Sequence, residues 1–135
     1  MTRQILVVAN ETVESDVLHE TIYFLAHNPP REVLVVAPAG DRRGGAELRL
    51  RRCLDRLEDA GIDARGWVGD GDPLQALEEV MRVFAPDEIV IATHPPGRST
   101  WLARGLVARV RARYAQPVLH LVADPQLAGP ARRAA

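Results

Sequence analysis

Short, continuous apolar runs constrain this chain more than any other feature of its sequence. Three such runs, at Gln4–Ala9, Glu32–Ala37 and Glu88–Ala92, consist largely of valine, isoleucine and leucine. They are too short to be helices, and they lack the alternation of a strand with one face in water. Strands that are covered on both faces have this composition, and they occur in parallel sheets. We therefore expect all three runs to be buried strands of a parallel sheet.

Four other segments carry apolar residues at the spacing of one helix face. Thr12 is expected to cap the first helix, Pro38–Gly45 to form the loop before the second, and Gly61 to end the second. Asp72 is expected to cap the third helix, with Pro73 at its first position. The inward residues of the four helices are predicted to be Leu18, Ile22 and Leu25; Leu50, Cys53, Leu54 and Leu57; Leu74, Leu77, Met81 and Phe84; and Leu102, Leu106, Val110 and Tyr114.

Two further strands complete the pattern. Ile62–Val68 alternates charged and apolar residues, which is typical of a strand at a sheet edge, and Gln116–Ala123 closes the chain. Five strands that alternate with four helices predict an α/β, Rossmann-like fold with an open parallel sheet and helices on both faces. We expect residues 1–124 to form this single domain. The Pro, Gly, Ala and Arg content of residues 125–135 favours a disordered tail.

In such sheets, ligands bind beyond the carboxyl ends of the strands, where the winding direction reverses. The loops at Asn10–Thr12 and Thr93–Thr100 are expected to meet there. The second loop leads into a helix N-terminus, whose free N–H groups and neighbouring Arg98 favour an anion. The candidate ligand-binding residues are Asn10, Glu11, Thr12, Ala37, Thr93, His94, Gly97, Arg98, Ser99 and Thr100.

Four phrases of the sequence carry a resemblance to a known family: ILVVAN, VLVVAPA, VGDGDPLQALEEV, and IVIATHPPGRSTWLARGLV with the later PVLHLVAD. On these phrases, the chain resembles the universal stress protein family along nearly its whole length, up to about Asp124. The resemblance implies a five-stranded parallel sheet of order 3-2-1-4-5, often in a dimer. It also implies, in nucleotide-binding members, ATP held by an aspartate after the first strand and by a G-x2-G-x9-G-S/T motif after the fourth.

The chain departs from the ATP-binding pattern of that family at both places. Asn10 stands where the aspartate is expected; it can hydrogen-bond a ribose hydroxyl but brings no charge. If Gly97 is the second glycine of the motif, His94 occupies the first position, and Val107 and Ala108 replace the final pair. The motif is therefore degenerate. ATP or another adenine nucleotide, a different anion, and no ligand are the alternatives.

Composition excludes several other classes of function. A net charge of −1 indicates neither nucleic acid nor an acidic membrane as a partner. No run approaches the roughly 20 apolar residues that cross a bilayer. The single Cys53 forms no disulfide within the chain, and Met1–Ala9 has no signal-peptide pattern, which together favour the cytoplasm. The charged face at Glu47–Asp59 is interpreted as a solvated helix surface. Trp101 is interpreted either as a base-stacking residue or as a core or interface aromatic.

No assembled catalytic set or metal cluster is indicated, so we do not expect an enzyme. Three hypotheses follow, in this order. The first is a module of the stress-protein type that binds or senses a nucleotide or another phosphate-bearing ligand. The second is a ligand-free protein that acts through dimerisation and protein partners; the homodimer itself, paired through the C-terminal edge strand, Val118–Ala123, is expected whichever hypothesis holds. The third is a nucleotide-cleaving enzyme built on the same sheet.

Overall fold

The computed structural model describes residues 3–27, 30–41, 43–95, 101 and 104–123. One parallel sheet holds five strands in the order β3-β2-β1-β4-β5. The strands are β1 (Arg3–Val8), β2 (Arg31–Pro38), β3 (Ala64–Gly69), β4 (Glu88–Thr93) and β5 (Val118–Val122). The helices are α1 (Asp16–His27), α2 (Arg43–Asp59), α3 (Pro73–Met81) and α4 (Leu106–Arg113), and a short 3-10 helix covers Glu11–Glu14. The predicted fold class and the strand order implied by the family resemblance are both confirmed.

The central strands β1 and β4 supply both layers of the core. Ile5 and Val7 of β1 pack in the layer that contains α1 and α2. Leu6 and Val8 pack in the layer that contains α3 and α4. Buried helix residues that cover the two faces are Leu18, Ile22, Leu50, Cys53 and Leu57 on the first and Ala76, Leu77, Val80, Leu106 and Val110 on the second. Burial on both faces explains why these strands read as continuous apolar runs.

Two local predictions near the first and second helices are wrong. Thr12 does not cap α1: it lies within the 3-10 helix, and its buried hydroxyl donates to the Ala92 carbonyl oxygen at 3.1 Å. Ser15 instead precedes α1. The predicted loop at Pro38–Gly45 is shorter than expected, since α2 begins at Arg43. The first turn of α2 is stabilised by burial of Ala46 and by an Arg43–Glu47 ion pair at 3.6 Å.

Three other boundary predictions have clear outcomes. Gly61 follows α2 with a φ of 82°, as a helix-ending glycine should. Asp72 caps α3, because its Oδ1 atom accepts a hydrogen bond from the Leu74 amide at 3.1 Å. The last predicted helix is interrupted: Gly105 has a φ of 68°, so α4 begins only at Leu106. Leu102 and residues 124–135, including the expected tail, lie outside the described residues.

Within the described part of the chain, none of the helices combines the length and the apolar composition that a membrane span requires.

Burial of β4 leads to a first testable prediction. The Val90 side chain is 0% exposed, and the strand register places it between Val7 of β1 and Leu119 of β5. Val90→Asp would bury an unpaired carboxylate, so we expect it to lower the free energy of unfolding by more than about 4 kcal/mol. Urea denaturation measures the change. The matched control is Val83→Asp, at a valine that is 82% exposed. It should change stability by no more than about 0.5 kcal/mol, and equal effects at the two valines would contradict the buried position of β4.

Candidate functional site

The predicted ligand edge lies where β1 and β4 end side by side. From β1, the chain winds through α1 to β2 on one side, and from β4 it winds through α4 to β5 on the other. This reversal is the position at which open parallel sheets leave a crevice at their carboxyl edge. The Ala9 amide still donates to the Val36 carbonyl at 3.0 Å, so Asn10 is the first residue beyond the pairing of β1.

Asn10 is held at this edge by both ends of its side-chain amide. Its Nδ2 group donates to the Pro38 carbonyl oxygen at the end of β2, at 2.8 Å. Its Oδ1 atom accepts a hydrogen bond from the Arg49 guanidinium of α2, also at 2.8 Å. Asn10 therefore positions a cation at the crevice instead of supplying the charge that an aspartate would bring.

Arg49 belongs to a row of three arginines along one flank of α2. Arg52 forms an ion pair with Glu14 at 3.7 Å. Arg56 forms one with Asp16 at 3.1 Å. The predicted solvated surface at Glu47–Asp59 is confirmed for most of its charged residues, which are exposed, but Arg49 and Arg56 are only partly exposed and bond to Asn10 and Asp16. The signal in the sequence was helical spacing of the arginines immediately beside the apolar stripe.

Three of the predicted site residues are buried and structural. The Thr12 hydroxyl is bonded to the Ala92 carbonyl, as described above. Thr93 is 1% exposed, and its hydroxyl lies 2.9 Å from the Nε2 atom of His120 on β5. Ala37 is 1% exposed within β2. These side chains shape the wall of the crevice, but their polar atoms are already engaged in the protein.

His94 and Glu11 form a polar pair at the same edge. The His94 Nε2 atom lies 2.7 Å from Oε1 of Glu11, whose side chain is 63% exposed while that of His94 is 22% exposed. Two nitrogens beside the crevice, Nδ1 of His94 and Nε of Arg49, are buried without a hydrogen-bond partner among the described residues. Buried polar atoms usually have a partner, so these two nitrogens are polar groups at this edge whose hydrogen-bonding capacity the described residues leave unused.

The rest of the predicted anion loop, Gly97, Arg98, Ser99 and Thr100, lies outside the described residues. Its role remains a prediction.

Trp101 is partly buried and packs against the core layer of α3 and α4, which favours its interpretation as a core aromatic. Burial raises the pKa of the Cys53 thiol to about 12, which fits the predicted role of a core residue rather than a nucleophile.

A shallow cavity of about 450 Å³ lies at the opposite end of the sheet, between the end of α1 and the start of β2. Its lining residues are Tyr23, Phe24, Leu25, His27 and Arg31.

Histidine, cysteine and acidic side chains do not assemble into a group of three or more that could hold a metal ion anywhere in the described ranges. The polar groups of the carboxyl edge therefore make the best candidate site, with Arg49 as the residue that sequence reasoning missed.

No protein-family model matches the chain, and no curated protein matches it. The likeness to universal stress proteins therefore stands on the sequence phrases quoted above, and the function it implies is a proposal.

The bond between Arg49 and Asn10 can be measured directly. In a double-mutant cycle of Arg49→Ala and Asn10→Ala, we expect a coupling of roughly 1–2 kcal/mol in the free energy of unfolding, because the bond is charge-assisted and half-buried. The matched control is the cycle of Arg43→Ala and Glu47→Ala, an ion pair on the same helix whose side chains are 55% and 57% exposed. That pair should couple by less than about 0.5 kcal/mol. Additive effects at Arg49 and Asn10 would show that the bond does not organise the crevice.

Proposed function

We propose that this chain is a binding or sensing module of the universal-stress-protein type, whose ligand carries a phosphate or another compact anion. The ligand would bind at the carboxyl edge of β1 and β4, beside Asn10, Glu11 and His94. An adenine nucleotide such as ATP is the first class to test, because the family resemblance implies it. The proposal does not include catalysis.

The observation that carries the proposal is the guanidinium of Arg49 in the crevice. Its partner is the neutral amide of Asn10, and no carboxylate of the described residues lies within ion-pair distance of it. A planar guanidinium that is paired with a neutral amide and not with a carboxylate keeps its positive charge for a phosphate or carboxylate oxygen. Arg49 therefore supplies a positive charge at this edge, and the neutral Asn10 does not cancel it.

Binding measurements test this proposal. We expect isothermal titration calorimetry at moderate salt to detect binding of ATP, ADP or AMP, and a much weaker response to adenosine, which lacks the phosphate. Arg49→Ala should weaken binding about tenfold or more, since a charge-assisted hydrogen bond contributes roughly 1.5–3 kcal/mol.

Arg51→Ala is the matched control for the titration, because Arg51 lies on the same helix and is exposed. It should bind like the parent chain. If neither heat nor a thermal shift appears with any nucleotide or with inorganic phosphate, the ligand proposal fails.

A ligand-free homodimer is the second candidate, and the position of β5 supports it. This strand is the last in the sheet order, and Val122 at its end is 44% exposed. An edge strand offers unpaired backbone groups, and pairing with a second copy would cover them. His120 would lie near such an interface. Burial, followed by the charge of Arg111, lowers the pKa of His120, so it would be neutral there at physiological pH.

Light scattering after size exclusion tests the dimer. We expect a mass of twice the 14.8 kDa of the chain at micromolar concentration. Val122→Lys should shift the population to monomer, because it places a charge at the paired edge. Val83→Lys, at the exposed valine after α3, is the matched control and should remain dimeric. A parent chain that runs as a monomer at all concentrations would rule the dimer out.

A further inference from the structure

His19 is a fully buried, ionisable side chain that the proposed ligand site does not use. It lies on α1, is 0% exposed, and its Nε2 atom is 2.8 Å from the carbonyl oxygen of Val13. A carbonyl oxygen only accepts, so Nε2 carries the hydrogen and the neutral ring has its lone pair on Nδ1. Because Val13 belongs to the 3-10 helix Glu11–Glu14, this bond fastens that helix to α1.

A second proton on the imidazole would go to Nδ1. That atom is buried and has no hydrogen-bond partner among the described residues. A charged ring with an unpaired N–H group in the core is strongly unfavourable. The imidazolium can reach water only if the ring leaves its place, and this movement breaks the bond to Val13.

The charges around the ring come from three elements. Glu14 of the 3-10 helix and Asp16 of α1 favour the protonated form, whereas Arg56 of α2 opposes it. The Tyr23 ring on α1 lies 6.2 Å from the imidazole, measured between centroids. Burial has the largest effect, and the net result is a pKa for His19 below its ordinary value of 6.5.

We propose that His19 is a pH-sensitive latch, which holds the segment Glu11–Glu14 against α1 when neutral and releases it when the imidazole takes up a second proton. The segment carries Glu11 and Thr12, and it follows directly after Asn10. Release would make Glu11 and Thr12 mobile at the carboxyl edge. Protonation of His19 would therefore change the structure of the candidate site. The latch does not depend on the identity of any ligand there.

The direction of the pH effect follows from proton linkage. In the unfolded chain or the opened segment, the His19 imidazole has a pKa near 6.5, whereas in the closed segment its pKa is lower. Full stability is therefore present above pH 6.5, and it is lost as pH falls from there toward the pKa of the folded state. Over that window, the opening equilibrium rises by up to about tenfold per pH unit.

Amide hydrogen exchange, corrected for the intrinsic rate at each pH, tests the latch on the intact chain. Between about pH 7.5 and pH 5, we expect protection of the Val13 and Ser15 amides, which donate to the Asn10 and Thr12 carbonyls, to fall by up to about tenfold per unit below pH 6.5. His19→Gln keeps an N–H donor of similar reach but does not titrate, so it should remove this extra loss. The matched control is His27→Gln. His27 makes the same kind of bond, from Nε2 to the Ala60 carbonyl at 2.9 Å, but on the surface, and its variant should behave like the parent chain.

Two outcomes overturn the proposal. One is a His19→Gln variant with the same loss of protection as the parent, or a loss that is uniform over β1, β4 and the segment. The other is a ring titration of His19, followed by nuclear magnetic resonance in the parent chain, with a midpoint at or above about 6.5. The ring titration needs no variant, so it decides the question even if His19→Gln does not fold.

Discussion

Burial of β1 and β4 on both faces is the constraint on which the rest of this structure depends. Neither strand has a side that can tolerate water, so the chain must place helices above and below them. The parallel direction of the strands makes each connection cross the sheet, and the reversal between β1 and β4 brings two loops to the same carboxyl edge. The position of the candidate site is therefore a consequence of how the core is covered.

The buried polar side chains at and near that edge form hydrogen bonds within the protein, which stabilise the fold. Thr12, His19 and Thr93 are the buried polar side chains of the described residues, and each has a hydrogen bond. Thr12 fastens the 3-10 helix to β4, His19 fastens it to α1, and Thr93 is joined to β5. A polar residue after a strand is thus as useful for holding the crevice together as for binding within it.

The arginine row on α2 gives the crevice its charge by an indirect route. Asn10 is neutral and accepts a hydrogen bond from Arg49, so it does not cancel the charge of the guanidinium as an aspartate would. The outer members of the row, Arg52 and Arg56, are partly exposed and each pairs with an acid, so each contributes little to stability. The position of α2 is set by its buried Leu50, Cys53 and Leu57, and this packing brings the Arg49 guanidinium to the edge of the sheet.

The sequence by itself determined the strands, the helices and the class of fold, because the local spacing of apolar residues shows whether an element is buried on one face or on both. It also placed Asn10, Glu11 and His94 at the carboxyl edge, because the ends of parallel strands meet there. Only the tertiary structure decided which atoms meet at that edge. Arg49 lies far from Asn10 in the chain, and Thr12 lies far from Ala92, so their bonds depend on how α2 and β4 pack. Local spacing does not specify which distant residue a side chain bonds to, so the sequence predicts a helix cap at Thr12 and a solvated charge at Arg49.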